Sequence, residues 1–109
     1  MNIYEHTYIA APEANKKDLE NIEKKIEEIL NKSSGKICKV EDWGLRNLAY
    51  PIKKNNKGYY RNIYLEGDNK TIRAIEEFEK FNDKVIKYLS MKIKNLPKED
   101  SELAKEKNK

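Results

Sequence analysis

Strand-like and helical patterns alternate along this chain in the order β-α-β-β-α-β. Apolar residues recur three and four positions apart over 15–34 and again over 69–82, which predicts two amphipathic helices. Alternating, β-branched and aromatic segments predict four strands, at 2–11, 37–51, 59–66 and 85–93. Because two one-sided helices can cover a single face of a four-stranded sheet, the order predicts an α+β, ferredoxin-like fold with an antiparallel sheet. Right-handed crossovers place the first and third strands in the middle and leave the second and fourth at the edges.

The first strand presents two different faces. Burial of the Glu5 carboxylate would be costly, so the face that carries Tyr4, His6 and Tyr8 is predicted to point toward the helices. His6 is the single histidine of the chain. Because no second histidine or cysteine accompanies it and Glu5 points the opposite way, we interpret His6 as a packed or half-exposed strand residue. A metal or catalytic role would lack partners.

Capping residues mark the ends of both helices. Asn15 and Asp68 are the expected N-caps, because a short polar side chain there accepts hydrogen bonds from otherwise unpaired N–H groups. Gly35 is expected to follow the first helix as its C′ residue, a position that favours a left-handed backbone. The apolar stripe of the second helix is predicted to comprise Ile72, Ala74, Ile75, Phe78 and Phe81.

The segment 43–60 predicts a β-hairpin with a lysine-rich tip that projects from the sheet. Pro51 cannot donate a ladder hydrogen bond and therefore belongs at a strand end or on an edge. Gly44 interrupts the alternation of the incoming strand, which predicts a bulge or bend there. The turn itself is expected at residues that tolerate a positive φ, namely Asn55, Asn56 and Gly58.

Positive charge is concentrated on this hairpin. The 109 residues are expected to form one domain and carry a net charge of +4. Residues 36–62 hold 7 basic and 2 acidic side chains, so this stretch alone has a net charge of +5. A local basic surface of this kind is typical of proteins that bind a polyanion. A solvated lysine-rich hairpin without any partner is equally compatible with the same charge count.

A longer motif in the same hairpin points to a known family. The signature of the bacterial small-subunit ribosomal protein six family resembles the run Gly44-x-Arg46-x-Leu48-Ala49-Tyr50-Pro51-Ile52-x-Lys54, followed by Gly58-Tyr59. The resemblance extends to Tyr4-Glu5 and Pro12 and covers about residues 1–94. It implies a structural, non-enzymatic protein of the small ribosomal subunit that binds the central domain of 16S ribosomal RNA together with small-subunit ribosomal protein eighteen. It implies neither a cofactor nor a small-molecule substrate.

Cationic side chains on and beside the hairpin are candidates for RNA contact. Arginine and lysine bind phosphate oxygens, and structured RNA is often recognised through its shape and backbone. The predicted RNA-binding residues are Arg46, Lys53, Lys54, Lys57 and Arg61, with Lys92 and Lys94 at the end of the last strand extending the same surface.

The incoming strand of the hairpin is an apolar edge. Such an edge tends to associate unless another chain covers it. The resemblance implies ribosomal protein eighteen as the cover, and a homomeric scaffold built by edge pairing is the alternative. The predicted partner-binding residues are Leu45, Leu48, Ala49, Tyr50 and Pro51.

Two other classes of protein, the RNA-recognition motif and the acylphosphatase-like hydrolases, share this order of elements. The RNA-recognition motif needs a stacking aromatic residue where Arg61 stands and a core aliphatic residue where Asn62 stands, so base stacking on the third strand is rejected as the main mode. An acylphosphatase-like hydrolase needs an anion-cradling loop with a nearby arginine after the first strand. Residues 10–15 contain no arginine or glycine and include Glu13.

The remaining sequence signals limit the classes of protein to which this chain can belong. No catalytic triad, phosphate-binding loop or metal-ligand spacing is present. Cys38 is the single cysteine, so an internal disulfide is impossible and a reducing compartment fits. No signal segment and no run of about 18 apolar residues is present, which predicts a cytoplasmic protein without membrane contact. Residues 95–109 are charged and aperiodic, so a mobile tail is expected to follow a folded domain at 1–94.

Overall fold

The computed structural model describes residues 2–96, which form one antiparallel sheet and two helices. The elements are β1 (Asn2–Ala10), α1 (Lys16–Lys32), β2 (Lys36–Ile52), β3 (Asn55–Gly67), α2 (Asn69–Lys80) and β4 (Val85–Ile93). The strand order β2-β3-β1-β4 places β1 and β3 in the centre and leaves β2 and β4 at the edges. The predicted ferredoxin-like fold is thereby confirmed. From residue 97 onward, the tail expected at 95–109 lies outside the described residues.

One face of the sheet packs against both helices and forms the main core. The strands contribute Tyr4, Tyr8, Ile63 and Leu65. The helices contribute the predicted stripes, which are Ile22, Ile26 and Leu30 from α1 and Ile72 and Ile75 from α2. Each of these side chains is buried, because the two-residue repeat of the strands and the 3.6-residue repeat of the helices bring them to one interface. The predicted inward face of β1 is therefore confirmed.

The apolar stripe of α2 differs from the prediction near its end. Ala74 is exposed and Phe81 is 75% exposed, so neither belongs to the core. Phe81 is the C-cap of the helix, where the helical repeat no longer directs a side chain inward. One helical turn after Ile75, the buried position is taken by Glu79 instead.

Capping at the helix N-termini follows the prediction. The Asn15 side chain accepts a hydrogen bond from the Asp18 N–H at 2.8 Å, and the Asp18 carboxylate accepts one from the Asn15 N–H at 3.0 Å. This reciprocal pair is a capping box. At the start of α2, the Asp68 carboxylate accepts a hydrogen bond from the Thr71 N–H at 2.8 Å.

The C-terminal end of α1 uses a different residue from the predicted one. Ser34, with a φ of 60°, adopts the left-handed conformation at C′, so the assignment of Gly35 to this position was wrong. Gly35 follows it and donates its N–H to the Leu30 carbonyl oxygen at 2.8 Å, the bond that closes a Schellman motif. Space explains the glycine, because a Cβ atom at 35 would lie 2.6 Å from the Glu66 carbonyl oxygen.

The β2–β3 hairpin turns earlier than predicted. Lys53 and Lys54 have φ values of 46° and 67°, and Ile52 pairs with Asn55. A two-residue connection with positive φ at both positions is the geometry that best continues the twist of the flanking strands. The residues expected to form the turn lie in β3 instead, namely Asn55, Asn56 and Gly58.

Two glycines of the hairpin have different structural roles. Gly58 is required by packing, because a Cβ atom there would lie 2.4 Å from Cγ2 of Ile9 on the neighbouring strand. Gly44 has a φ of 77° and follows a register shift in the β2–β3 pairing after Asp42. The bulge expected at Gly44 is therefore confirmed.

The hairpin curls across the open face of the sheet instead of projecting away from it. Leu48 and Ile52 pack against a second apolar cluster around Ile9 of β1. Lys87 of β4 donates a hydrogen bond from Nζ to the hydroxyl of Tyr50 at 3.1 Å, although β2 and β4 are opposite edges of the sheet. The curl therefore anchors the hairpin on its own sheet, away from the helices.

Candidate nucleic-acid interface

The hairpin tip presents three exposed lysines. Lys53 and Lys54 form the turn, and Lys57 follows on β3. All three side chains are exposed, and within residues 2–96 none of them forms an ion pair with a carboxylate. Exposed ammonium groups of this kind can bind phosphate oxygens by displacing condensed counterions.

A groove of about 570 Å³ lies beside Lys57 on the hairpin. Its lining residues are Leu45, Arg46, Asn47, Lys57 and Tyr60. Antiparallel pairing sets Arg46 opposite Gly58 and Asn47 opposite Lys57, and both Arg46 and Lys57 line the groove. The Arg46 Nε atom donates a hydrogen bond to the Trp43 carbonyl oxygen at 2.9 Å, which orients the guanidinium. The groove thus combines two cationic side chains with an aromatic ring.

Arg61 is not part of this exposed cationic surface. Its guanidinium forms an ion pair with Glu23 of α1 and a second one with Asp42 at 3.0 Å. Only 23% of the side chain is exposed. The structure therefore places Arg61 between the sheet and α1, where two carboxylates neutralise its charge.

Lys92 and Lys94 lie at the opposite end of the sheet from the hairpin. Lys92 pairs with Tyr4 of β1, whereas the hairpin end of β1 is marked by the pairing of Ala10 with Tyr59. Six residues of strand separate Tyr4 from Ala10, which is roughly 20 Å. The expectation that these two lysines extend the surface of the hairpin was wrong, because β4 runs away from the hairpin toward its C-terminal end.

The predicted partner-binding segment lies on the exposed β2 edge. Leu45 is 47% exposed and Tyr50 is 60% exposed, and Ala49 and Pro51 are exposed as well. Leu48 differs from the other four because it is half-buried against the cluster on the open face. Four of the five residues are thus available to another molecule.

A polar network on the open face was not predicted. Glu5 accepts hydrogen bonds from the Tyr64 hydroxyl at 2.9 Å and from Nδ2 of Asn62 at 3.3 Å, and the Thr7 hydroxyl donates to Oδ1 of Asn62 at 2.8 Å. Asn62 is fully buried and Tyr64 is nearly so. Burial, together with the hydrogen bond to Glu5, raises the pKa of Tyr64 to about 12. The signal is the cross-strand register, which pairs Glu5 with Tyr64 and Thr7 with Asn62 and which the sequence does not reveal before the strands are aligned.

Comparison with known proteins identifies the family. The family model described as Ribosomal protein S6 matches residues 3–92. The chain belongs to the ribosomal protein S6 family. Members of this family are structural, non-enzymatic components of the small ribosomal subunit. The hydrolase alternative is therefore wrong.

Relatives from several bacteria extend this match. The small ribosomal subunit protein bS6 of Pelagibacter ubique is 38% identical over 94 residues, which are 86% of this chain and 78% of the relative. The protein of the same name from Geotalea daltonii is 37% identical over 93 residues, 85% of this chain and 73% of the relative. The crystal structure of 30S ribosomal protein S6 from Thermotoga maritima has a TM-score of 0.76 at 33% identity and covers 84% of this chain and 87% of that chain.

A buried acid–base pair in this S6-family chain lies beneath α2. His6 Nε2 is 2.6 Å from Oε1 of Glu79, and His6 Nδ1 is 2.7 Å from Oγ of Ser90. Both side chains are 0% exposed, and desolvation raises the pKa of Glu79. The interpretation that His6 lacks an acidic partner was wrong, because the acid is supplied by α2, 73 residues away in the chain. A pair with no solvent access cannot reach a substrate, so its role is structural.

Residues 2–96 contain neither a group of side chains suited to a metal ion nor a helix suited to cross a membrane. No group of three or more His, Cys, Asp and Glu side chains in that range could hold a metal ion. Likewise, the helices described there are too short or too polar to cross a membrane.

Proposed function

We propose that this chain, as a structural constituent of the small ribosomal subunit in the cytoplasm, binds the central domain of 16S ribosomal RNA together with small-subunit ribosomal protein eighteen. The observation that supports RNA binding is the hairpin tip, where Lys53, Lys54 and Lys57 are exposed and not neutralised by a carboxylate of residues 2–96. Membership of the S6 family favours ribosomal RNA over other polyanions.

The proposed contacts are mainly electrostatic. Each lysine that neutralises a phosphate releases counterions, which changes the slope of log K against log salt concentration by about 0.9 on duplex and about 0.7 on single strands. Arg46 lines the groove beside Lys57 and contributes to the same backbone contact. Arg61 is left out because Glu23 and Asp42 neutralise its charge. Lys92 and Lys94 would have to meet a separate stretch of RNA.

The proposed contact with protein eighteen uses the β2 edge. Its exposed apolar residues are Leu45, Ala49, Tyr50 and Pro51. Contact with a second chain would bury these side chains and satisfy the unpaired backbone groups of an edge strand. Sedimentation of the isolated chain tests the alternative of a homomeric scaffold, which predicts self-association without protein eighteen.

The test measures binding to a central-domain fragment of 16S RNA in the presence of protein eighteen over a series of salt concentrations. Wild type is expected to bind with a steep negative salt slope. The variant Lys53→Gln/Lys54→Gln/Lys57→Gln is expected to bind more weakly and to have a slope shallower by about 2 to 3, one contact for each lysine.

The matched control removes three exposed lysines from α1, as Lys16→Gln/Lys17→Gln/Lys24→Gln. It changes the net charge by the same amount but leaves the hairpin intact, so the slope is expected to stay near that of wild type. An equal reduction by both triple variants, or no reduction by the hairpin variant, would reject the proposed surface. Absence of salt-sensitive binding by wild type would reject the function itself.

A further inference from the structure

We propose that a proton held between His6 and Glu79 links α2 to the centre of the sheet, so that folding of this chain takes up a proton at neutral pH and the fold weakens as the pH rises. Four side chains from three elements are involved, and we call them the His6 network. They are His6 of β1, Glu76 and Glu79 of α2, and Ser90 of β4. The network lies on the helix side of the sheet, away from the lysines of the hairpin tip.

Hydrogen bonds connect the His6 network in one chain from the interior to the surface. His6 Nε2 is 2.6 Å from Oε1 of Glu79, and neither side chain is exposed. On the other side of the ring, Nδ1 is 2.7 Å from Oγ of Ser90. The Ser90 hydroxyl donates to Oε2 of the half-buried Glu76 at 3.1 Å. The buried pair is thus connected with solvent through Ser90 and Glu76.

The Ser90 hydroxyl determines which nitrogen of His6 carries the first proton. A hydroxyl has one proton to donate, whereas a carboxylate oxygen only accepts. Because the Ser90 proton is directed to Glu76, Oγ of Ser90 accepts the hydrogen bond from His6, and Nδ1 is the protonated nitrogen. If Ser90 donated to the ring instead, its oxygen and that of Glu76 would face each other at 3.1 Å with no proton between them.

A second proton lies between His6 and Glu79. Once Nδ1 is protonated, Nε2 of a neutral imidazole directs a lone pair at Oε1 of Glu79. Two lone pairs that face each other at 2.6 Å repel, so a proton occupies the space between these two atoms. It belongs either to the carboxyl group or to the ring. In both cases the pair holds two protons and has no net charge.

The other oxygen of Glu79 supports the same proton count. Oε2 is buried and has no hydrogen-bond partner among the residues that the structure describes. An ionised Glu79 beside a neutral imidazole would leave a net negative charge, with one oxygen unpaired, in a site that excludes water, which is costly. The second proton neutralises that charge, and desolvation accordingly raises the pKa of Glu79.

Other charged and titratable groups surround the network without entering it. Tyrosines, which are uncharged at neutral pH, share the helix side of the two neighbouring strands, namely Tyr4, Tyr8 and Tyr88. Exposed cations on the flanking turns of α2 and on β4 are Arg73, Lys80 and Lys92. From α1, Glu23 is paired with Arg61, and β3 places the uncharged Ile63 opposite His6. Solvent screens exposed charges, so the shared proton remains the main neutralising charge inside the network.

The unfolded chain holds fewer protons on these two residues at neutral and alkaline pH. An unfolded imidazole titrates near about pH 6.5 and an unfolded glutamate near about pH 4.3. Above about pH 6.5 the unfolded pair therefore holds one proton, whereas the folded pair holds two. Folding takes up one proton in this range, so the folding equilibrium constant is expected to fall about tenfold for each unit that the pH rises. Between about pH 4.3 and about pH 6.5 both states hold two protons, and the pair contributes no slope.

The test measures the folding equilibrium constant of the full chain by urea denaturation between about pH 7 and about pH 9, where wild type is expected to lose about 50- to 100-fold. Glu79→Gln is the matched variant, because its amide group has nearly the shape of a carboxyl group and can donate to Nε2 of His6. In this variant the imidazole holds one proton in both states, so the constant is expected to change by less than about twofold. All other titrating groups are common to both proteins, so their contributions cancel in the comparison.

NMR of the imidazole ring locates the protons directly, since His6 is the single histidine of the chain. In long-range proton–nitrogen spectra of the folded wild-type chain, Nδ1 is expected to give the signal of a protonated nitrogen from about pH 6 to about pH 9, without a titration near about pH 6.5. An unprotonated Nδ1 would show that Ser90 donates to the ring and would overturn the proposal. A ring that titrates like an unfolded imidazole would also overturn it.

Equal pH dependence of wild type and Glu79→Gln would overturn the proposal as well, because the carboxyl group would then hold no additional proton in the folded state. If Glu79→Gln does not fold, His6→Leu/Glu79→Met takes its place, since neither position titrates in that variant. Its folding constant is likewise expected to change by less than about twofold between about pH 7 and about pH 9. A change as large as that of wild type would assign the pH dependence to other groups.

Discussion

Polar and apolar residues are distributed in opposite ways in two regions of the molecule. One region is the core beneath the helices, and the other is the β2–β3 hairpin. In the core, the polar side chains of His6 and Glu79 are fully buried and directly paired. In the hairpin, Lys53 and Lys54 hold positive φ angles that asparagine and glycine adopt more readily, and Leu45 remains 47% exposed. Departures of this kind from local preference concentrate at functional sites, so we interpret the hairpin as the region proposed to contact other molecules and the core as the region that stabilises the fold.

Breaking the buried pair tests the core side of this contrast. Glu79→Ala would leave Nε2 of His6 buried without its hydrogen-bond partner and would open a cavity. The free energy of unfolding is expected to fall by about 3 to 5 kcal/mol. Urea denaturation at neutral pH, followed by circular dichroism, measures the loss.

The matched variant His6→Leu/Glu79→Met removes both partners at once. No charged group is then left unpaired, and well-packed apolar replacements of a buried pair are often close to neutral, so a loss below about 1.5 kcal/mol is expected. Equal losses in the single and double variants would mean that packing volume, and not pairing, determines the stability of this part of the core.

Gly58→Ala tests the junction between the two regions. The added Cβ atom would lie 2.4 Å from Cγ2 of Ile9, so β3 would have to move away from β1 where the hairpin begins. A loss of about 1 to 3 kcal/mol is expected from such overpacking.

Gly67→Ala is the control for that substitution, because a Cβ atom at 67 would meet the Thr71 methyl group no closer than 3.3 Å. This contact requires only a small side-chain adjustment, and the change in unfolding free energy is expected to stay below about 1 kcal/mol. If urea denaturation gives the same loss for both variants, close packing at Gly58 is not what fixes the hairpin on the sheet.

The open face of the sheet is intermediate between the buried core and the exposed hairpin. The pH dependence of the free energy of unfolding tests its polar network. The pKa of Tyr64 is raised to about 12 in the folded protein. An unfolded tyrosine titrates near about 10. Between these values the folded state keeps the proton that the unfolded state has lost, so the free energy of unfolding falls as the pH rises. From about pH 9 to about pH 11, wild type is expected to lose about 1 kcal/mol more than Tyr64→Phe.

Glu5→Gln sharpens the pH test, because the Glu5 carboxylate is one of the groups that raise the pKa of Tyr64. In this variant the extra alkaline loss is expected to shrink. Urea denaturation at each pH measures the stability, and tyrosinate absorbance reports the titration. An alkaline loss that is identical in wild type and Tyr64→Phe would show that Tyr64 is no more shielded than an unfolded tyrosine.

The regular spacing of buried residues along strands and helices explains which parts of the fold could be predicted from the sequence. The inward faces of β1 and both helices follow regular periods, and β4 was predicted with its observed bounds, Val85–Ile93. The β2–β3 pairing contains three register shifts, which no simple repeat encodes. The turn was misplaced because Asn55, Asn56 and Gly58 match ordinary turn preferences, whereas Gly58 is needed where β3 meets Ile9.

The candidate site was predictable in its location but not in its membership. The motif and the charge count both indicated the hairpin. Contacts between distant segments determine which cationic side chains are available for RNA contact at the hairpin. Arg61 is neutralised by Glu23 of α1, and Lys92 lies at the other end of the sheet. The partner of His6 was missed for the same reason, because α2 brings Glu79 to it only after the sheet has formed.

The hairpin-turn variant with the smallest expected change in stability also distinguishes the effect of the two turn lysines on folding from their effect on RNA binding. Lys53→Asn/Lys54→Gly installs the residue pair most favoured in a turn with two positive φ angles, so the free energy of unfolding is expected to rise by about 0.5 kcal/mol. The same variant removes two cations and is expected to reduce the salt slope of RNA binding by about 1.8 on duplex. Lys16→Gln/Lys17→Gln on α1 removes equal charge and should leave that slope unchanged. If the hairpin variant gained stability and kept the wild-type slope, its lysines would be ordinary surface residues. The hairpin would then differ from the core only in being less well packed.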